Sequence, residues 1–264
     1  MDNMENKIVW ITGASSGIGE ALAYELAQAG AKLILSSRRN DELERVRTAC
    51  MFSEKHVIVP LDLEHYTELE DKVNSVLEEH GVVDVLINNA GVSHRYLVVD
   101  SNLELDKKVI DINFFGALAI TRPVLKKMLE RNCGHIAVVS SMLGLYGMQT
   151  RSAYSASKHA LRGYFESLRN ELFHTNIHIT LIYPGYVNTH ITQNALLGDG
   201  THFGKMDAFH ANAISASKCA KKIVDAINHK KAVVVISGFK ERFGVLLNRF
   251  FPALFRRLAP KFKV

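Results

Sequence analysis

Three glycines between an apolar run and an amphipathic stretch near the N-terminus constrain the fold of this chain more than any other feature. The apolar run, Ile8 to Ile11, predicts a buried strand, and Gly13, Gly17 and Gly19 open the stretch that follows. Glycine lets the backbone turn tightly and approach a pyrophosphate, whose charge the N-terminus of a helix stabilises. The segment therefore predicts a strand, a phosphate-binding turn and a helix, although a glycine-bearing turn without a ligand has the same pattern.

Short apolar runs alternate with amphipathic segments along the rest of the chain, as in βαβ units with a parallel sheet. The predicted strands are 7–11, 32–36, 56–60, 83–88, 134–139, 177–183 and 232–236. The predicted helices are 17–29, 40–52, 66–80, 101–131, 153–174 and 217–228, and Gly30, Gly81 and Gly134 are expected to end helices. We expect an α/β fold, a Rossmann-type doubly wound parallel sheet of about seven strands with helices on both faces. Its ligands bind at the edge where the strands end.

Composition favours one domain. The chain of 264 residues is 47% hydrophobic and 22% charged, and no Pro/Gly/Ser-rich linker or repeat divides it. We predict a domain over 1–238 followed by a C-terminal tail over 239–264. The three cysteines, Cys50, Cys133 and Cys219, are odd in number and widely spaced. They predict no disulfide framework and a cytoplasmic location, and the first strand begins too early for a signal peptide.

Tyr154 and Lys158 are the main candidates for acid–base chemistry. Four residues apart on a helix, they share one face with Cβ atoms about 5–6 Å apart. An ammonium in that position favours the phenolate and lowers a tyrosine pKa that is otherwise about 10. Such a tyrosine can exchange a proton with a carbonyl oxygen at neutral pH. Taken alone, most Tyr-x-x-x-Lys pairs are solvated helix faces.

Together these segments resemble the short-chain dehydrogenase/reductase family over nearly the whole chain. The motifs are Thr12-Gly-Ala-Ser-Ser-Gly-Ile-Gly19, Asn88-Asn-Ala-Gly91, Asn113, Ser141, Tyr154-x-x-x-Lys158 and Pro184-Gly185. Within the family the chain looks most like the dehydrogenase/reductase member 7 branch. The resemblance implies an oxidoreductase that transfers hydride between a nicotinamide cofactor and a ketone or secondary alcohol. No spacing of histidines or cysteines predicts a metal site.

By this resemblance, Ser141 holds the substrate oxygen, Tyr154 is the general acid/base, and Lys158 favours the tyrosinate and binds the nicotinamide ribose. Asn113 matches the fourth catalytic member, which positions a water, although an asparagine in a helix is more often structural. Ser140 lies beside Ser141, and the family's usual thirteen-residue spacing to the tyrosine selects Ser141.

The predicted second strand ends in Ser-Ser-Arg-Arg, without the carboxylate that contacts the ribose in NAD-binding units. Arg38 and Arg39 suit a 2′-phosphate, so we expect NADP(H) rather than NAD(H). A solvated arginine pair is the alternative, and Ser16 departs from the basic residue that many NADP-preferring members carry there. The asparagines at 88 and 89 also suit a purely structural brace. The cofactor-binding residues expected from the resemblance are Gly13, Ser15, Ser16, Gly17, Ile18, Gly19, Arg38, Asp62, Leu63, Asn89, Ala90, Gly91, Tyr154, Lys158, Pro184, Val187 and Thr189.

The C-terminal stretch is both basic and apolar. Residues 230–264 contain nine Lys/Arg and one acid, Glu241, a balance of +8 within an overall +5. The apolar residues interleaved with them are Phe239, Phe243, Leu246, Leu247, Phe250, Phe251, Leu254, Phe255, Leu258 and Phe262. No run approaches the roughly 18–20 apolar residues that span a bilayer. The pattern predicts peripheral contact with a membrane surface or packing against protein, and we expect no nucleic-acid binding.

By resemblance, Val187 and Thr189 hold the nicotinamide amide. Segment 190–213 follows them, lacks a strong hydrophobic period and is the predicted substrate lid. A partly apolar lid beside this tail favours a lipophilic substrate of the steroid, retinoid or long-chain keto-lipid type. Two other functions keep the same motifs: a non-catalytic NADP-binding regulatory or scaffold protein, and a reductase of ketoacyl groups on acyl-carrier protein or CoA. By resemblance, 101–131 and 153–174 pair subunits into a homodimer or homotetramer.

Overall fold

The computed structural model describes residues 4–205 and 213–261. Its strands are β1 Ile8–Thr12, β2 Lys32–Ser36, β3 Val57–Ile58, β4 Val85–Asn88, β5 Gly134–Val139, β6 Ile177–Pro184, β7 Val187–Asn188, β8 Ile214–Ser215 and β9 Val233–Ile236. Seven of them form one parallel sheet in the order β3-β2-β1-β4-β5-β6-β9, while β7 and β8 pair separately. The strand order reverses between β1 and β4, which opens a crevice at the C-terminal ends of those strands. The predicted fold class is confirmed.

Helices cover both faces of this sheet. They are α1 Gly17–Gln28, α2 Asn40–Ala49, α3 Leu69–His80, α4 Leu103–Ile110, α5 Gly116–Glu130, α6 Ser152–Glu171, α7 Ala216–Asn228, α8 Phe239–Phe250 and α9 Pro252–Leu258. Successive residues of a strand point to opposite faces, so Trp10 packs in the core beneath α3, α5 and α6. Its neighbours Val9 and Ile11 pack in the core beneath α1, α2 and α7. Both faces of β1 are therefore buried, which explains its continuous apolar sequence.

The long helix predicted over 101–131 is interrupted. Helix α4 ends at Ile110, a single π-helical turn covers Asp111–Phe115, and α5 continues from Gly116. A π-turn adds a residue to the helical repeat, and such turns occur frequently at functional sites. Asn113 lies in this turn and is almost completely buried.

Two of the three glycines expected to end helices do so. Gly30 and Gly81 each have φ +82°, the left-handed region that favours glycine. Gly134 is instead the first residue of β5, and the left-handed residue after α5 is Asn132. A Cβ atom on Gly134 would lie 2.4 Å from the Met128 sulfur, so close packing rather than a helix cap requires this glycine.

Helices α8 and α9 form the described part of the tail. Leu247 and Phe255 are buried and anchor it to the domain. The large apolar residues that remain exposed are Phe239, Phe243, Leu246, Phe250, Phe251 and Leu254. Within the described ranges, none of the helices has the length and apolar character needed to cross a membrane. The predicted tail residue Phe262 lies outside the described residues.

Candidate active site

The turn after β1 has the shape that a phosphate-binding loop requires. Gly13 and Gly17 have φ +66° and +60°, where a side chain is strained. A Cβ atom on Gly13 would lie 2.8 Å from the Ala90 Cα, and one on Gly17 would lie 3.0 Å from the Thr189 methyl group. The turn therefore fits closely between the segments that follow β4 and β6, and its glycines keep its surface open.

Gly19 has a different role in the same turn. A Cβ atom there would lie 2.1 Å from the carbonyl oxygen of Gly13, so this glycine lets α1 pack directly against the turn. It does not line the crevice, although the family motif assigns it to the cofactor site. Ser16 precedes α1 in an extended conformation, and its own side chain does not cap the helix. The first N–H groups of α1 can therefore bind an anion.

Asn89 braces the glycine turn. Its side-chain amide donates to the carbonyl oxygens of Thr12 at 3.0 Å and Gly13 at 3.2 Å. The Thr12 hydroxyl in turn accepts from the backbone N–H groups of Asn89 and Ala90 at 3.0 and 3.1 Å. Asn89 thus has a structural bracing role, and Asn89 and Ala90 also line the crevice, so the bracing and binding roles are compatible.

Two arginines stand at the end of β2. The Arg39 guanidinium donates to the Ser15 hydroxyl at 3.1 Å, which joins it to the glycine turn. Arg38 is exposed and lines the crevice beside it. On the far side, Asp62 accepts from the backbone N–H of Glu64 at 3.0 Å, and Leu63 follows it along the wall. This end of the crevice therefore offers paired positive charge.

Tyr154 lies near the start of α6 and Ser141 directly after β5. Burial raises the pKa of Tyr154, and the Ser141 hydroxyl and the charge of Arg151, which favour the phenolate, only partly oppose that effect. This differs from the lowered pKa expected from the Tyr-x-x-x-Lys pair, because burial of the phenol outweighs its favourable interactions.

The Lys158 ammonium lies 5.7 Å from the centre of the Tyr154 ring and donates to the carbonyl oxygen of Val139 at 3.0 Å. Burial lowers the pKa of this lysine to about 8. Ser140 supports the helix rather than the substrate position, since its hydroxyl donates to the Lys158 carbonyl oxygen at 3.1 Å. The choice of Ser141 over Ser140 stays a prediction, and this geometry is consistent with it.

Asn113 lies behind the crevice wall. Its amide oxygen accepts from the backbone N–H of Val92 at 2.7 Å. Its amide nitrogen donates to the Val92 carbonyl oxygen at 2.9 Å and to the Ser157 hydroxyl at 3.0 Å. Both donors are therefore engaged by protein groups, and the side chain fixes the segment after Gly91 against α6.

The segment after β6 forms the wall opposite the glycine turn. Pro184, Val187 and Thr189 all line the crevice. The described part of the predicted lid reaches the apolar cluster that contains Tyr154, because Leu196 is buried in the same cluster. Two backbone hydrogen bonds fix Leu196. Its N–H donates to the Ser93 carbonyl oxygen at 3.0 Å, and its carbonyl oxygen accepts from the Arg95 N–H at 2.7 Å. Part of the predicted lid, 206–212, lies outside the described residues.

The crevice has a volume of about 570 Å³ and unites most of the predicted site. The predicted residues that line it are Gly13, Ser15, Ser16, Gly17, Ile18, Arg38, Asp62, Leu63, Asn89, Ala90, Gly91, Ser141, Tyr154, Lys158, Pro184, Val187 and Thr189. His190, Asn194 and His202 also line the crevice and belong to the predicted lid 190–213. Ser93, in the loop after β4, and Lys108, on α4, line it too, and neither belongs to a motif that the sequence reveals. A glycine cradle at a helix N-terminus with arginines beside it fits a dinucleotide.

Known proteins share this sequence pattern and fold. A family model described as short chain dehydrogenase matches residues 7–199. The chain is 41% identical over 259 residues to dehydrogenase/reductase SDR family protein 7-like from Anopheles gambiae, covering 96% of this chain and 82% of the relative. A short chain dehydrogenase/reductase from Burkholderia phymatum in complex with NAD superimposes with TM-score 0.84 at 23% identity, covering 96% of each chain. An alcohol dehydrogenase from Thermococcus sibiricus complexed with 5-hydroxy-NADP gives TM-score 0.74 at 24% identity, covering 89% of this chain and 96% of that one.

Proposed function

The chain belongs to the short chain dehydrogenase family of oxidoreductases, and from that premise we propose that it transfers hydride between NADP(H) and a lipophilic ketone or secondary alcohol. The observation that carries the proposal is the meeting of Ser141, Tyr154 and Lys158 in the same crevice as the glycine turn. These three side chains come from different elements, and a binding protein has no chemical need for them together.

The reaction that we propose uses each side chain for one task. The nicotinamide supplies or accepts the hydride when bound. The Ser141 hydroxyl donates to the substrate oxygen, where negative charge develops during reduction. Tyr154 gives that oxygen its proton, and the Lys158 ammonium stabilises the tyrosinate that is left. Asn113 acts as a positioning residue that holds the Val92 backbone beside the crevice.

A preference for NADP(H) is supported by the charge at the end of β2. Arg38 lines the crevice there, Arg39 is hydrogen-bonded to Ser15, and no carboxylate ends the strand. A guanidinium binds a 2′-phosphate through paired N–H donors. A 2′-hydroxyl offers that group no charge, so removal of Arg38 should weaken NADPH binding more than NADH binding.

Cofactor titration tests this proposal. We expect purified protein to bind NADPH at least 10-fold more tightly than NADH, measured by nicotinamide fluorescence, with Arg38→Ala removing most of the difference. Arg122→Ala is the matched control, because Arg122 is exposed on α5 away from the crevice. A preference for NADH would overturn the 2′-phosphate assignment. Absence of binding by either nucleotide would overturn the proposed function.

A lipophilic substrate is supported by the apolar residues near Tyr154. Leu196 lies in the same apolar cluster as Tyr154, and Val92 packs against that cluster. Ile191 and the polar side chains of His190 and Asn194 also line the crevice. Such a mixture suits a mainly hydrocarbon molecule with a polar group besides its carbonyl. We expect NADPH consumption with steroid, retinoid or long-chain keto-lipid ketones to exceed that with small hydrophilic ketones.

We also propose that the tail contacts a membrane surface. Phe239, Phe243 and Phe250 are each more than half exposed on α8, in a segment where residues 239–264 carry seven Lys/Arg and one acid. Exposed aromatic residues in a basic segment are complementary to a membrane surface with anionic headgroups. In a flotation assay with vesicles that contain phosphatidylserine, the wild-type protein should float with the vesicles. The double variant Phe239→Ser with Phe243→Ser should remain in the unbound fraction. The matched control is Phe173→Ser, since Phe173 is 80% exposed outside the tail. Equal flotation of all three proteins would contradict membrane contact through these residues.

A further inference from the structure

Glu241, in the first turn of α8, reaches back to the segment after β6. One of its carboxylate oxygens accepts from the backbone N–H of Tyr186 at 3.1 Å, and the other accepts from the backbone N–H of Gly238 at 2.6 Å. Gly185 makes room for this contact, because a Cβ atom there would lie 2.6 Å from the carboxylate. The side chain thus joins the start of the tail to the turn 184–187, which lines the crevice.

The chemistry of Glu241 is unusual for its segment. It is the one acid among the residues 239–264, where seven others are Lys or Arg. Both of its oxygens bind backbone N–H groups, and hydrogen bonds with a charged acceptor are stronger than neutral ones. Glu241 therefore links the first turn of α8 to the backbone of Tyr186 as well as to Gly238.

The same pair of helices holds a second loop of the active site. The Asn248 amide donates to the Leu145 carbonyl oxygen at 3.3 Å. Phe255 is buried, and its ring lies 5.4 Å from that of Tyr146 in an edge-to-face arrangement. Residues 142–146 follow Ser141 directly, so α8 and α9 contact the loop that positions the catalytic serine.

We infer that the C-terminal helices position both sides of the reacting centre, Glu241 by clasping the turn 184–187 and Asn248 and Phe255 by supporting the loop after Ser141. This inference rests on the proposed function and on the resemblance by which Val187 and Thr189 hold the nicotinamide amide. Glu241 is a positioning residue, since it contacts the turn rather than the substrate. The tail is then part of the catalytic architecture as well as a surface element.

The affinities for two ligands distinguish a positioning role of Glu241 from a general effect on folding. NADPH reaches the turn with its nicotinamide end, whereas adenosine 2′,5′-bisphosphate carries only the adenosine half. We expect Glu241→Ala to raise the Kd for NADPH on the order of 10-fold, the loss of about one charge-assisted hydrogen bond. The Kd for adenosine 2′,5′-bisphosphate should stay within about twofold, because its site lies at the β2 end of the crevice. Glu241→Gln keeps one acceptor oxygen and should restore most of the NADPH affinity.

Glu78→Ala is the matched control, because Glu78 is an exposed glutamate on α3. Equal weakening of both ligands by Glu241→Ala would overturn the inference, as would unchanged NADPH affinity. Failure of the wild-type protein to bind NADPH or NADH would instead overturn the proposed function itself.

The second loop predicts a different kinetic signature. Asn248→Ala should lower kcat for ketone reduction on the order of 5-fold, since a small displacement of the reacting groups is costly, and leave the Kd for NADPH unchanged. Phe255→Ala should do the same more strongly, whereas Leu254→Ala, at an exposed neighbour, should change neither value. A raised Kd for NADPH in Asn248→Ala would overturn this part of the inference, as would an unchanged kcat in both Asn248→Ala and Phe255→Ala.

Discussion

The Lys158 ammonium donates a hydrogen bond to the backbone carbonyl oxygen of Val139 at 3.0 Å, across the interface between α6 and the end of β5. The contact fixes the lysine beneath Tyr154 while both groups stay buried. A carbonyl oxygen favours the charged ammonium, but burial disfavours it more strongly and lowers the pKa of Lys158 to about 8. The positive charge near the tyrosine is therefore sensitive to mildly alkaline pH.

This lowered pKa predicts the pH dependence of ketone reduction. Below about pH 8 Lys158 is charged, and the raised pKa of Tyr154 keeps the phenol protonated, as a proton donor requires. Above about pH 8 the lysine loses its proton and no longer stabilises the tyrosinate. We expect kcat/KM for reduction to be level at neutral pH and to fall above about pH 8, since this ratio reports pKa values of the free enzyme.

Lys158→Arg provides the control for that profile. Its guanidinium stays charged at all accessible pH values, so the residual activity should lack the alkaline fall near pH 8 although its maximum is lower. Initial rates of NADPH oxidation between pH 6 and 10 measure both curves. An alkaline fall of the same midpoint in both proteins would assign it to another group.

Removal of the Tyr154 hydroxyl should abolish turnover without removing the cofactor. Loss of a positioned general acid costs about 10²–10⁴-fold in rate, and we expect Tyr154→Phe to lose at least that much in kcat. The Kd for NADPH should change by less than about threefold, because the ring and the Lys158 contact remain. Tyr164→Phe makes the same change on the same helix and should leave kcat near the wild-type value. Appreciable turnover in Tyr154→Phe would overturn its role as the acid.

The glycine turn gives a prediction for cofactor affinity. At Gly17 the φ of +60° strains any side chain, and a Cβ atom would lie 3.0 Å from the Thr189 methyl group. We expect Gly17→Ala to raise the Kd for NADPH at least about 10-fold, because the left-handed conformation costs about 1–2 kcal/mol in an L-residue and the turn must shift. Isothermal titration measures this change.

Gly163→Ala is the matched control on α6. A Cβ atom there has no neighbour within 4 Å, and helical alanine is more stable than glycine by about 0.5–1 kcal/mol. This variant should unfold at a higher urea concentration and bind NADPH as the wild type does. Similar losses of affinity in both variants would mean that Gly17 has no special place in the site.

Much of this fold could be predicted from the sequence, because each strand, turn and helix is specified by residues within a short stretch of the chain. The apolar run predicts the buried strand Ile8–Thr12, the spacing of the glycines predicts the turn, and the helical period of the apolar residues predicts α1. The parallel order then brings the ends of β1, β4, β5 and β6 to one edge, so motifs remote in sequence meet. The π-turn around Asn113 could not be predicted from the spacing of apolar residues. One added residue barely changes that spacing over so short a segment.

Contacts that depend on tertiary packing could not be predicted in the same way. Leu196 in the lid is held by the backbone of Ser93 and Arg95, about 100 residues earlier, and its own segment has no period. In the sequence Glu241 is a lone acid in a basic tail, and only the fold brings it to the backbone N–H of Tyr186. Burial raises the pKa of Tyr154, whereas its spacing to Lys158 predicted a lowered pKa. The spacing alone could not show this, because it carries no information on how deeply the phenol is buried.

The core beneath α6 predicts the stability of the scaffold that carries Tyr154. Phe165 is completely buried between this helix and the sheet, eleven residues after the tyrosine. Truncation to alanine leaves a cavity that a close-packed core fills only in part, so Phe165→Ala should lower the free energy of unfolding by about 3–5 kcal/mol. Phe173→Ala is the matched control because Phe173 is 80% exposed just beyond the same helix, and it should change stability by less than about 0.5 kcal/mol. Urea unfolding followed by circular dichroism measures both changes, and equal destabilisation by the two variants would contradict the packing of α6 on the sheet.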